Sequence, residues 1–188
     1  MTYTNITLIG WVVLFIYWFV NAQEVKAAVQ KQTQASRYIY LFFLALGFSI
    51  IYFPFFGWGL LSYQIIPSND ITGVIGIMVS FSGIAFAIWA RKTLGKNWSG
   101  EVTLKEGHEL IQTGPYRIVR HPIYTGFEIA LLGAAITAGQ AKGLLGLAII
   151  FLNHYFKTRM EEEIMYSQFP TQYPEYVKRV KRLVPFIF

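Results

Sequence analysis

Residues 71–90 read ITGVIGIMVSFSGIAFAIWA, a stretch without one ionisable side chain. A hydrocarbon core of about 30 Å takes about 20 apolar residues in helical form, so this run is read as a membrane span. Within it, Thr72, Gly76 and Ser80 recur at intervals of four and fall on one helical face. Small residues so placed let a neighbouring helix approach closely, which is packing rather than chemistry.

Working outward, two apolar runs precede this one. The first, from about Thr4 to Ala22, lacks a basic start, contains Trp11, Tyr17 and Trp18, and is followed by a second run of span length. A retained span is therefore expected rather than a secretory leader. The second extends from about Tyr38 to Ser62, with Pro54, Gly57 and Gly59 placed to kink or end it. Downstream, Pro122 to Ala138 and Gly143 to Phe156 are shorter apolar runs, separated by a four-residue turn that contains Gly139. They predict a helical hairpin. The expectation is an all-α membrane bundle of about five spans in a single domain over residues 1–188. The first three spans occupy 1–93, and a loop, the hairpin and a C-terminal segment occupy 94–188.

Composition agrees with that reading. Hydrophobic residues make up 54% of the chain and charged residues only 14%, too little charge for an ordinary soluble domain. Without cysteine there is no thiolate nucleophile, disulfide framework or cysteine-bound metal, and the three histidines show no ligand spacing, so no metal site is expected. The net charge of +6 raises nucleic acid as a partner, but its distribution points elsewhere. Segments 23–37, 91–121 and 157–188 carry three, six and six Lys or Arg residues, against Lys142 alone on the opposite side. This asymmetry places the N-terminus outside and the C-terminus in the cytoplasm. Topology thus accounts for the charge, and membrane lipids, not nucleic acid, are the expected partners.

Chemistry-bearing residues cluster on the predicted cytoplasmic side. The loop after the third span holds Gly107-His108-Glu109-Leu110-Ile111, then Gly114-Pro115-Tyr116, then Arg120-His121-Pro122-Ile123-Tyr124. Pro122 suits a helix N-terminus, where its missing N–H costs nothing and the positive end of the helix dipole can face an anion. Arg120 and His121 are either a basic interfacial anchor or part of a site. A second cluster, Lys157-Thr158-Arg159-Met160-Glu161-Glu162-Glu163, follows the fifth run. If the helix continues, Lys157 and Glu161 share a face, as do Arg159 and Glu163, while Glu162 sits three after Arg159. Such pairs lace many solvated helices. They can also build a site in which an acid meets the ammonium of an amino-acid cofactor and a base holds a carboxylate. Glu128, four after Tyr124 and seven after His121, lies on their helical face inside a span. It is either a functional ionisable group or one that snorkels or bonds a neighbouring helix. His154 and Asn153 are open in the same way.

His108-Glu109-Leu110, Gly114-Pro115-Tyr116, Arg120 to Gly126, the Glu161-Glu162 pair and the ending with Phe169, Tyr173, Tyr176 and Pro185 resemble the isoprenylcysteine carboxyl methyltransferase family and related phospholipid methyltransferases. The resemblance covers residues from about 95 to 188. It implies a helical membrane enzyme that binds S-adenosylmethionine on the cytoplasmic side and methylates a lipophilic acceptor, foremost the carboxylate of a prenylcysteine-like substrate. No Gly-x-Gly-x-x-Gly fingerprint is present, which agrees with a non-Rossmann cofactor site. The implied cofactor contacts are Glu101, His108, Glu109, Leu110, Ile111, Tyr116, Arg120, His121, Pro122, Ile123, Tyr124 and Glu161, and the implied catalytic group is Lys157, Arg159, Glu161 and Glu162. The family places an arginine four before the first acid of the pair, where this chain has Lys157, with Arg159 two further on. Either Arg159 takes that role or the substrate is not a carboxylate, since lysine does not clamp a carboxylate bidentately. A phospholipid, amine or thiol methyltransferase on the same scaffold stands as the alternative, and a non-catalytic membrane binding protein as the reading of another class.

Overall fold

The computed structural model describes residues 2–21, 28–31, 33–98, 103–105 and 109–187. Its helices are α1 (Tyr3–Val20), α2 (Gln34–Tyr52), α3 (Asp70–Leu94), α4 (Pro122–Ala138), α5 (Ala141–Gln168) and the short α6 (Gln172–Arg179). Strands β1 (Ala28–Lys31) and β2 (Thr103–Lys105) form a small antiparallel ribbon. The three helices α1, α2 and α3 are long and apolar enough to cross a membrane, and α4 is a shorter apolar helix. Ile9, Val12 and Ile16 on α1, Phe42 on α2, Ile71 and Met78 on α3 and Leu144 and Leu152 on α5 are exposed on the outside of the bundle. A continuous apolar exterior of this kind requires lipid as its solvent. The chain is an integral membrane protein.

Several boundaries follow from local chemistry. Asn69 caps α3: its side chain accepts from the Thr72 N–H while the Thr72 hydroxyl pairs with the Asn69 N–H. Thr72 therefore serves the cap, and the close-packing face predicted from the sequence begins at Gly76. The second run splits as its Pro and Gly residues suggested. Helix α2 stops at Tyr52, and two 3-10 turns, Pro54–Phe56 and Gly59–Ser62, carry the chain onward. The hairpin turn is tighter than the four residues expected. Only Gly139 and Gln140 separate α4 from α5, because Gly139 adopts φ 67° and its N–H returns to the Ala135 carbonyl. Helix α5 runs 28 residues, well past the apolar stretch that ends near Phe156, and so delivers the Lys157 to Glu163 cluster on a rigid rod.

At Gly83 and Gly133, helices α3 and α4 pack more closely than even the methyl group of alanine would allow. A Cβ at Gly83 would stand 2.5 Å from the Gly126 carbonyl oxygen, and one at Gly133 would stand 2.7 Å from the Cα of Ser80. Alongside this seam, Trp11 and Leu14 of α1, Ile51 of α2, Ile84 and Ala87 of α3, Leu131 of α4 and Ile150 of α5 form one buried core. The core fixes the mutual heights of the helices, and the cavity lies at one end of the bundle.

Candidate active site

Helix α4 begins at a junction that the C-terminal segment closes. The Arg120 N–H donates to the Lys181 carbonyl at 2.8 Å and the His121 N–H to the Arg182 carbonyl at 3.1 Å. The Thr125 hydroxyl donates to the Leu183 carbonyl at 2.7 Å, and the Tyr176 hydroxyl to the Tyr116 carbonyl at 2.5 Å. Residues 173–183 are thus strapped across the N-terminus of α4, with Tyr173 and Tyr176 buried. This strap encloses one wall of a cavity of about 240 Å³.

Of the residues singled out in the sequence, Glu109, Leu110, Ile111, Tyr116, Arg120, His121, Pro122, Ile123, Tyr124, Lys157 and Glu161 all line that cavity. Arg159 and Glu162 do not. Arg159 is exposed, with its guanidinium 6.0 Å from the Tyr155 ring centroid. Glu162 is buried behind the wall. Glu101 and His108 lie outside the described residues. Sequence reasoning missed Trp18, Tyr40, Trp98 and Phe127, which supply much of the aromatic lining from α1, α2, the end of the α3 connection and α4. In the sequence Trp18, Tyr40 and Phe127 are indistinguishable from ordinary lipid-facing aromatics, and Trp98 is a single aromatic in a polar loop. Tyr173 and Tyr176 also contribute.

The charges form one network. Glu162 Oε1 accepts from Arg120 Nε at 2.8 Å, Arg120 Nη2 is 2.7 Å from the same oxygen, and Arg182 Nη2 donates to Oε2 at 2.6 Å. Arg120 also donates through Nη1 to the Val180 carbonyl. His121 bridges the two acids, with Nδ1 3.3 Å from Glu161 Oε2 and Nε2 3.2 Å from Glu162 Oε1. The Tyr124 hydroxyl donates to Glu161 Oε1 at 2.6 Å. With a carboxylate on each ring nitrogen, His121 is best satisfied as the imidazolium, which donates from both. Burial alone would lower its pKa, but the bonds and charges of Glu161 and Glu162 outweigh that and raise it above the ordinary 6.5. Burial likewise works to raise the Glu162 carboxyl, and His121, Arg182 and Arg120 hold it well below the usual range instead.

Glu161 retains 21% side-chain exposure, directed into the cavity, against 5% for Glu162. One turn earlier on the same face of α5, Lys157 places its Nζ 3.9 Å from the centroid of the Tyr40 ring. The cavity therefore presents an anchored carboxylate and a cation to whatever enters, between aromatic walls.

These features define a helical membrane protein with a charged, aromatic-walled cavity at one end of its bundle, closed by its own C-terminal segment. Residues 71–172, more than half of the chain, match the phospholipid methyltransferase family, and the chain belongs to that family. It is 31% identical over 99 residues to protein-S-isoprenylcysteine O-methyltransferase B of Arabidopsis thaliana, covering 50% of each chain. To the protein-S-isoprenylcysteine O-methyltransferase of Schizosaccharomyces pombe it is 34% identical over 97 residues, 50% of this chain and 41% of that one. Methanethiol S-methyltransferase 1 of Bradyrhizobium diazoefficiens is 37% identical over 71 residues, 37% of this chain and 24% of that one. The chain spans about half the length of the curated relatives it matches. The solved structure of a eukaryotic intramembrane Ras methyltransferase, isoprenylcysteine carboxyl methyltransferase, shares the fold with a TM-score of 0.57 at 23% identity, over 83% of this chain and 55% of that one.

Proposed function

We propose that the chain is an S-adenosylmethionine-dependent methyltransferase whose acceptor is lipophilic and reaches the cavity from the bilayer, with the carboxylate of a prenylcysteine-like molecule as the favoured substrate. The observation that carries this reading is the pairing of Glu161 and Lys157 on one face of α5, both on the cavity wall. Glu161, held by His121 and Tyr124, is pre-set to receive the ammonium of an amino-acid cofactor. Glu109, Leu110, Ile111 and Tyr116 line the same space beside it. Lys157, with its ammonium 3.9 Å from the Tyr40 ring centroid, lines the same cavity, where it can orient an acceptor carboxylate as a point charge. Glu162, behind the wall, holds Arg120, Arg182 and His121 in register. The basic residues on this side of the bundle favour a cytoplasmic site with the N-terminus outside.

The cofactor would supply a sulfonium methyl group, and transfer requires chiefly that the acceptor be aligned in a dry pocket. Alignment of this kind contributes about 7 to 11 kcal/mol to such reactions. The residues of this chain provide it by burying both reactants between aromatic walls under the Tyr176 to Leu183 strap. A carboxylate acceptor needs no general base. The substitution of Lys157 for the arginine of the family, together with the match to a methanethiol S-methyltransferase, favours a thiol as the second reading.

Calorimetric titration of S-adenosylmethionine or S-adenosylhomocysteine into detergent-purified protein tests the proposal. Saturable one-to-one binding, weakened in Glu161→Ala and His121→Ala, is expected. Absence of binding to folded wild-type protein would remove the enzymatic reading, and a screen of carboxyl, amine and thiol acceptors would then separate the substrate classes if binding is found.

A further inference from the structure

Deep to the cavity, between α4 and α5, Glu128 Oε1 lies 2.5 Å from His154 Nδ1. The His154 side chain is fully buried, and Glu128 is 13% exposed. Neither belongs to the charge network of the site. As a stabilising device the pair is poor, because replacing both partners of a buried hydrogen bond by apolar groups of similar shape is commonly neutral or stabilising. The arrangement also leaves Glu128 Oε2 and His154 Nε2 buried with no hydrogen-bond partner, an additional cost.

What the pair accomplishes that two aliphatic side chains would not is to hold a flat ring at one place and one tilt. That ring lies against both tyrosines that govern the cavity's charges. The Tyr124 ring stacks on His154 with centroids 4.7 Å apart and planes at 32°, and the Tyr124 hydroxyl is the donor to Glu161. The Tyr40 ring centroid lies 6.1 Å from that of His154 with planes at 39°, and the Tyr40 face carries the Lys157 ammonium. The neighbouring Asn153 steadies Tyr40 further by donating to its carbonyl at 2.9 Å. One buried imidazole thus backs the partner of the acid and the partner of the base.

We propose that Glu128 and His154 form a positioning couple for the active site: the carboxylate holds the imidazole where it braces Tyr124 and Tyr40, and through them sets Glu161 and Lys157. The inference rests on the function proposed above. Neither residue touches the cavity, so both act through the tyrosines.

The test replaces the pair by Glu128→Leu with His154→Leu in the full chain and titrates S-adenosylhomocysteine calorimetrically, with thermal unfolding in parallel. The double variant is expected to melt no lower than wild type. Its affinity should fall by about five- to tenfold, the scale of losing one net hydrogen bond. Adding Tyr124→Phe should then cost no more than about a further twofold, because the contribution of Tyr124 is already lost. Glu128→Gln, which preserves an acceptor for the imidazole, should bind within about twofold of wild type. Unchanged affinity in the folded leucine pair overturns the couple, as do losses that multiply on adding Tyr124→Phe, or a folded Glu128→Gln as impaired as the leucine pair. If the leucine pair does not fold, His154→Gln goes through the same cycle with Tyr124→Phe and is judged by the same multiplication. A wild-type protein that binds no S-adenosylhomocysteine overturns the function and the couple together, whereas wild-type binding with independent losses removes only the couple.

Discussion

Glu162 and Arg120 are 42 residues apart in the chain and 2.7 Å apart in space, and the second oxygen of Glu162 is taken by Arg182. One carboxylate thereby ties the entrance of α4, the C-terminal third of α5 and the C-terminal strap. Removing one partner of such a buried arrangement leaves the other charges uncompensated, at a cost of about 3 to 5 kcal/mol. Glu162→Ala should lower the melting temperature of the detergent-solubilised protein sharply. Glu161→Ala, which removes a carboxylate that meets only His121 and Tyr124 of this cluster, should lower the melt less and weaken cofactor binding. Equal melts for the two variants would show that the network does not hold the strap.

The raised pKa of His121 makes stability depend on pH in a definite direction. Folding increases the proton affinity of this imidazole, so its contribution is present in full below about pH 6.5 and is lost as pH rises through the elevated folded value. The melting temperature should decline from neutral into alkaline buffer in wild type, and the decline should be shallower in His121→Gln. The same slope in both proteins would assign the effect to another group.

Lys157 is expected to act on the acceptor rather than on the cofactor. In a methyl-transfer assay with a prenylcysteine analogue, Lys157→Met should raise KM by about tenfold, the loss of one charge-assisted contact, with S-adenosylhomocysteine affinity within about twofold of wild type. Lys157→Arg, which restores the residue usual in the family, should retain or improve the carboxylate acceptor. A loss of cofactor affinity in Lys157→Met equal to its effect on KM would place the ammonium against the cofactor instead.

The α3–α4 seam should tolerate no side chain at Gly133. A Cβ there meets the backbone of Ser80 and Gly76, which cannot swing aside as a flexible side-chain tip can. Gly133→Val should cost about 1 to 3 kcal/mol or more, read as a lowered melting temperature. The cavity end should loosen with it, since Tyr124 and Glu128 ride on the same helix.

Legibility in the sequence varied with the range of the interaction. Residues 71–90 announce a span because an uncharged stretch of that length has one inexpensive environment, and Pro122 marks a helix start because of its own ring. The cluster from Glu109 to Tyr124 is contiguous enough to be recognised as a unit. Trp18, Tyr40 and Phe127 gave no such signal, because an aromatic residue in a span looks the same whether it faces lipid or a cavity. Thr72 shows the reverse error: its four-residue spacing to Gly76 and Ser80 suggested the packing stripe, but the nearer Asn69 claims it for a cap. Hydropathy marks α5 only as far as Phe156, while its helical hydrogen bonding continues to Gln168, so the continuation that the sequence leaves open is settled by the structure.

From the sequence by itself came the bilayer as solvent, the helical class, the approximate spans and the set of charged and aromatic residues from which a site is built, all of them properties of single segments and their composition. The tertiary structure alone decided the assignment of Glu161 to the cavity and Glu162 to the network behind it. Helical geometry separates two adjacent residues by about 100° on any helix. Which of the two directions points inward depends on the rotation of α5 against α4, α2 and the C-terminal strap, and that rotation is set by packing between segments distant in the chain.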